Sequence, residues 1–378
     1  MSDKDKRYRF LFILTIATAI GFQGWRTLLN NFAVNIANIQ GNQMGMIQSI
    51  REIPGFLALL VVFLLYLVKE EVLALISLSL LGLGVGLTGL FPNYYGLIFT
   101  TLIMSVGFHY YETVNQSLTL QYFDKKESPV IMAKFKSVGA IVNISVGVAI
   151  YVLMKFFNYK SVFVILGMVV ISLILYSSFK IPDKKNLPVQ RKKMILRKKY
   201  SLFYLLTFLA GARRQVFVVF SVFLMVKKFN LSIYEITFLF VLNNLINMVF
   251  MPFVGKAINK FGEKKILSVE YILIIPVFLI YAYCQNKYII MAVYVVDHLV
   301  FNFSIAIRSF FQKIADPKDI APSMAVSFTI NHVAAVFIPA LGGALWIVDY
   351  KIPFIAGVFI AVLSLIATQK IQIKPSIS

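Results

Sequence analysis

The chain has 378 residues, 59% hydrophobic, 15% aromatic and only 14% charged, with a formal net charge of +21. A soluble domain averages roughly 45–50% apolar and about 25% charged residues, so this composition excludes a water-facing globular surface unless lipid covers most of it. The basic residues lie between long apolar runs and not on a polar domain, which sets nucleic-acid binding aside, and the one cysteine, Cys284, excludes an internal disulfide and reads as a buried, inert thiol.

The basic N-terminus leads straight into Leu11–Ile20 with no small-residue cleavage site after a short apolar core, so it reads as an uncleaved first helix. Crossing the hydrocarbon core takes roughly 20 mostly apolar residues. Only helices and closed barrels satisfy the backbone there. The apolar runs are continuous and mostly do not alternate, so each predicts a helix. In chain order the spans are Tyr8–Ile36, Met44–Val68, Val72–Phe91 (stopped by Pro92), Tyr94–Tyr122, Ala133–Phe157 and Lys160–Phe179. A long polar stretch with two prolines and a dense basic cluster follows, and residues 182–199 are taken as a linker. The remaining spans are Tyr200–Val226, Tyr234–Ile258, Ile266–Cys284, Tyr288–Ile314, Ala321–Val348 and Ile352–Thr368.

Lysine and arginine set the orientation. With the N-terminus inside, the dense basic clusters fall on the cytoplasmic side, and the outer loops hold only Lys155, Lys160, Lys227, Lys228, Lys287 and Lys351. Both termini are therefore expected in the cytoplasm. The expected location is the plasma membrane, or the inner membrane of a two-membrane bacterium.

Between the eighth and ninth spans the sequence runs Gly255, Asn259, Lys260, Gly262, Lys264, Lys265. This resembles the loop signature of the major facilitator superfamily: a glycine, an acid or amide, a basic residue, a second glycine and further basic residues. Gly255 would let two helices approach closely and Gly262 would permit a tight turn. The family usually has aspartate where this chain has Asn259, which weakens a charge interaction with a helix N-terminus. The first-half equivalent, around Lys69-Glu70-Glu71, is too short and lacks the glycines. Pro339-Ala-Leu-Gly342-Gly343 is similar to part of a signature of family antiporters but sits in the other half, where a kink with close packing explains it. The stretches after His109 and after Asp297 echo one another, each ending in a charged, proline-containing loop. The resemblance implies two pseudo-symmetric six-helix bundles, residues 1–181 and 200–378, alternating access around a central cavity, and a monomer.

Ionisable residues inside a bilayer are costly and mark sites or structural pairs. Gln23, Arg26 and Asn30 share one face of the first span, and His109, Glu112, Gln116 and Thr119 one face of the fourth. Arg26 and Glu112 either serve substrate and proton or form a structural pair. Arg51-Glu52, before Pro54-Gly55, is an outer gate pair or a local pair at a kinked helix. On the seventh span Arg214 lines up with Thr207, Gly211 and Ser221, a polar stripe, and is favoured for the cavity. Arg213 lines up with Leu206, Ala210, Phe217 and Phe220, and is expected to pair with an acid between helices. On the tenth span Ser304 and Arg308 continue the Asp297 face, with His298 adjacent. On the eleventh, Ser327 and Asn331 form a stripe with His332 beside it. A carboxylate that loses solvent favours its neutral form, and histidine titrates near neutrality. Glu112, Asp297, His109, His298 and His332 are thus proton-coupling candidates, each histidine having hydrogen-bonded packing as its bland alternative. Asn243 and Asn247 suit interhelical hydrogen bonds.

Substrate contacts are assigned to Gln23, Arg26, Asn30, Gln116, Arg214 and Asn331. Guanidinium groups favour carboxylate or phosphate partners, which points to an organic anion or zwitterion. No phosphate-binding glycine loop, soluble enzymatic domain or metal-ligand spacing occurs, so no cofactor, metal or enzymatic activity is expected. The expectation is a secondary active transporter of a small solute driven by a coupling ion, a proton first, in the lipid bilayer. An exporter of lipophilic compounds on the same fold, and a non-transporting receptor or scaffold, are the alternatives.

Overall fold

A computed structural model describes residues 2–39, 41–183, 187–231 and 233–373. Among them there are helices and no strand. Ten helical stretches are long and apolar enough to cross a membrane. Two further helices of 29 residues each, Tyr94–Tyr122 and Ile320–Val348, bring the membrane-length segments among the described residues to twelve.

The first is α1 (Asp3–Asn35), started by a capping box in which Ser2 and Asp5 satisfy each other's backbone N–H. The second is split into α2 (Gly41–Phe56), a 3-10 turn Leu57–Leu60 and α3 (Val61–Leu67). Pro54 inside α2 has no N–H to donate and disturbs the ladder just before that turn. There follow α4 (Glu70–Thr88), α5 (Tyr94–Tyr122), α6 (Glu127–Leu153) and α7 (Tyr159–Ser178). Asn93 caps α5 by accepting from the Gly96 N–H at 2.8 Å.

The seventh span is not one regular helix. A 3-10 turn Lys198–Tyr200 leads into α8 (Ser201–Gln215), a π-helical stretch covers Val216–Ser221, and α9 (Val222–Lys227) closes it. Then come α10 (Ile233–Phe261) and α11 (Glu263–Tyr283). The tenth span is α12 (Lys287–Phe301) and α13 (Ile305–Ile314), divided by a 3-10 turn at Asn302–Ser304. Asn302 turns its amide back onto the His298 carbonyl, 3.1 Å away, a local bond that competes with the regular ladder. A 3-10 turn Pro317–Asp319 precedes α14 (Ile320–Val348), and α15 (Ile352–Gln369) is last. Pro339, on which the kink reading rests, lies outside the residues whose side chains are described.

The residues form two compact units: one of residues 1–123, 138–195 and 317–329, the other of residues 124–137, 196–316 and 330–378. In the first unit α4 packs tightly on α5 and α7. A Cβ on Gly107 would lie 2.3 Å from the Leu81 backbone nitrogen, so the α4–α5 contact requires the missing side chain. In the second unit α11 packs on α15 and α12. Its core is aromatic: Phe217, Phe220, Phe278, Tyr281, Tyr294 and Phe354. Phe217 stacks on Tyr294 with ring centroids 5.1 Å apart.

Candidate functional site

In the first unit the structure brings together Arg51, Glu52 and His109. The Arg51 guanidinium donates to Glu52 Oε1 through Nη2 at 2.5 Å and Nε at 3.2 Å. The other carboxylate oxygen, Oε2, lies 3.9 Å from His109 Nε2. His109 is buried, and its Nδ1 lies 3.0 Å from the Ser105 carbonyl and 2.9 Å from Ser105 Oγ. Ser105 Oγ in turn donates to the Arg51 carbonyl, which ties α5 to the disturbed stretch of α2. Gln23, half-buried, donates to Thr27 on its own helix at 3.1 Å, while Arg26 and Asn30 are exposed. Glu112 and Gln116 are half-buried on α5.

At the start of α4, sequence reasoning missed two acids. Glu70 and Glu71 read as the remnant of a loop, yet both side chains are buried. Ser117 and Gln121 of α5 donate to Glu70 at 2.6 and 2.8 Å, and the Tyr122 hydroxyl donates to Glu71 at 2.5 Å. The signal was available: two adjacent acids in the first turn of a span, where the helix dipole favours them.

The second unit has its own counterpart at the start of α11. Glu263 accepts from Ser309 at 2.6 Å and pairs with Lys313 at 2.5 Å, both on α13. Beside it, Gly262 takes a φ of +81°, a backbone region that side chains other than glycine rarely adopt. A Cβ on Gly255 would stand 2.6 Å from the Pro129 carbonyl oxygen. The Asn259 amide donates to the Lys126 carbonyl, just before α6. The amide is therefore not merely a weakened aspartate: it supplies an N–H that aspartate lacks.

The core of this unit holds a fully buried ionic pair. Arg213 on α8 and Glu270 on α11 are both fully buried and bonded to each other. The guanidinium carbon lies 5.7 Å from the Tyr271 ring centre and 5.2 Å from that of Phe301. Asp297 on α12, one turn before Phe301, is also fully buried, and neither of its oxygens has a hydrogen-bond partner. A 3-10 turn at Asn302–Ser304 lies between Asp297 and Arg308, the stretch over which the sequence predicts one shared face. Next to Asp297, the Asn247 amide lies 2.8 Å from His298 Nε2 and accepts from Asn302 at 2.8 Å, and Asn302 accepts from Lys136 at 3.3 Å. Lys136 falls near the start of the fifth span as read from the sequence, Ala133–Phe157. Its bond to a residue in the middle of the tenth span was not foreseen.

Arg214 is half-buried, as is Asn331, whose amide donates to the Thr207 carbonyl at 3.4 Å, and His332 is buried on α14. Gly211 makes room for this, since a Cβ there would lie 2.7 Å from the Asn331 carbonyl. Asn243 is buried with its carbonyl oxygen unpartnered. Cys284 is half-buried at the end of α11, not deep in the core, because α11 ends at Tyr283.

The sequence model of the Major Facilitator Superfamily matches residues 10–313 and 203–371. The chain belongs to that superfamily. It is a multi-pass membrane protein with a transporter fold. Among solved structures, FucP, a major facilitator transporter in the outward conformation, superposes with a TM-score of 0.78 at 12% identity over 98% of this chain and 100% of that one. The human organic anion transporter MFSD10 (TETRAN) gives 0.76 at 13% identity, covering 98% and 100%. A bacterial homologue of the iron transporter ferroportin, outward-facing with soaked iron, gives 0.76 at 12% identity, covering 96% and 98%. At such identities the likeness establishes the fold. No curated protein sequence matches the chain.

Proposed function

We propose that this protein is a proton-coupled secondary transporter of a small organic anion or zwitterion, working by alternating access in the plasma membrane with both termini in the cytoplasm. The observation that carries the reading is Asp297, a fully buried carboxylate in the middle of a membrane span with no hydrogen-bond partner on either oxygen. Buried polar groups in native proteins are nearly always partnered, and an ionisable group at bilayer depth is a functional candidate by default. Proton uptake and release at Asp297 would supply the coupling. Arg26 and Arg214, on separate spans, carry guanidinium chemistry suited to a carboxylate or phosphate. The concentration of lysine and arginine away from the outer loops supports the orientation.

The test is thermal stabilisation of the purified protein against anionic, zwitterionic, cationic and lipophilic compounds, since a ligand that binds the native state raises its apparent stability. Anions or zwitterions should raise the melting temperature of the wild type, and the rise should vanish in Arg214→Gln or Arg26→Gln. Equal stabilisation of all three proteins by lipophilic compounds would replace this reading with the lipophilic exporter.

A further inference from the structure

Arg213, Glu270 and Asp297 are all fully buried in the second unit. Five of their polar atoms have no hydrogen-bond partner: Arg213 Nε and Nη1, Glu270 Oε2, and both oxygens of Asp297. The guanidinium is packed between the Tyr271 ring, adjacent to Glu270, and the Phe301 ring, one turn from Asp297. It bonds Glu270 and lies against the ring one turn along α12 from Asp297. Each carboxylate is within electrostatic range of Arg213, and Glu270 is within range of Asp297.

Charge arithmetic limits what this arrangement holds. One buried guanidinium compensates one carboxylate, and an uncompensated second charge in a dry core is costly. Other titratable groups within electrostatic range of the acids are Tyr271 and Tyr281 from α11 and Lys136 from α6, and α12 carries Tyr294 and His298 on either side of Asp297 in the sequence. The tyrosines add no charge at neutral pH. His298 accepts or donates within the Asn247 bond. Lys136 is half-buried and its ammonium donates to the Asn302 side-chain oxygen at 3.3 Å.

We propose that Glu270 and Asp297 form with Arg213 a site for a single proton, shared between two carboxylates that compete for one guanidinium. In the arrangement described here Arg213 holds Glu270 and the proton belongs to Asp297. If the guanidinium turned to Asp297, the proton would pass to Glu270. Glu270 is thus a positioning residue for proton binding although it already has an ion-pair partner. The use of that proton in transport rests on the function proposed above, whereas the site itself does not.

The test needs no substrate. Glu270→Gln, Asp297→Asn, the double variant, and the double variant carrying Arg213→Gln would be purified and their melting temperatures followed against pH. Each single variant should melt near the wild type, because one acid still faces Arg213, and each should flatten the same step in the pH profile. The double variant strands the guanidinium and should lose several times the sum of the singles, with Arg213→Gln restoring most of it. Infrared spectra of the singles serve where the double does not fold: the C=O band of a buried protonated carboxyl should disappear in Glu270→Gln as well as in Asp297→Asn. Additive melting shifts, or persistence of that band in Glu270→Gln, would overturn the shared site while leaving a proton-coupled transporter intact.

Discussion

Two sets of buried acids in this molecule differ in how well they are partnered. Glu70 at the start of α4 and Glu263 at the start of α11 each accept from a serine of the helix packed against them, Ser117 and Ser309, and from a second donor four residues on, Gln121 and Lys313. The two arrangements repeat the same local design in the two units, as the sequence echo between the fourth and tenth spans suggests. Asp297, near the middle of its span, has no such donors, and Glu270 keeps one oxygen unpartnered. Well-bonded acids at helix starts join neighbouring helices. On the function proposed above, the under-bonded acids are where a proton comes and goes.

The largest effect that sharpens this contrast is on stability at the helix starts. Glu70→Ala or Glu263→Ala leaves buried donors without an acceptor and should cost about 1–3 kcal/mol, read as a fall in thermal stability. No change in either variant would mean that these bonds do not join the helices. A smaller effect is expected in the loop signature. Asn259→Asp, which restores the usual family residue, replaces an N–H donor with a second acceptor facing the Lys126 carbonyl. It should destabilise by about 1 kcal/mol. Stabilisation would show that the charge at this position outweighs the amide's bond.

Membrane-length helices were legible because continuous apolar runs leave no other way to satisfy the backbone in lipid. The bounds of α5 follow from Asn93 before it and the charged loop after Tyr122. The breaks were not legible. Nothing local in Val216–Ser221 announces a π-helical stretch, which depends on what packs around it, and π segments recur at functional sites. At Asn302 the break comes from a side chain choosing the His298 carbonyl over other partners.

The site was legible in part. The offset of about 100° between neighbours on a helix placed Arg213 on an apolar face and called for an acid on another helix. The structure supplies Glu270. A ninth span begun at Ile266 leaves Glu270 one turn from its end, where charges are ordinary. With α11 starting at Glu263, Glu270 lies two turns inside. Lys136 is three residues into the fifth span when that span is read from Ala133, and nine residues in when α6 starts at Glu127. In both cases the helix starts several residues before the apolar run and carries the charge deeper.

The most direct measurement is proton movement in proteoliposomes. Protein would be reconstituted with a pH-sensitive dye inside, and gradients of the anions or zwitterions that stabilise it would be imposed on wild type and on Asp297→Asn. Substrate-driven proton flux is expected in the wild type and should be lost in Asp297→Asn, with substrate stabilisation and folding retained. Undiminished proton flux in Asp297→Asn would contradict proton coupling at that residue.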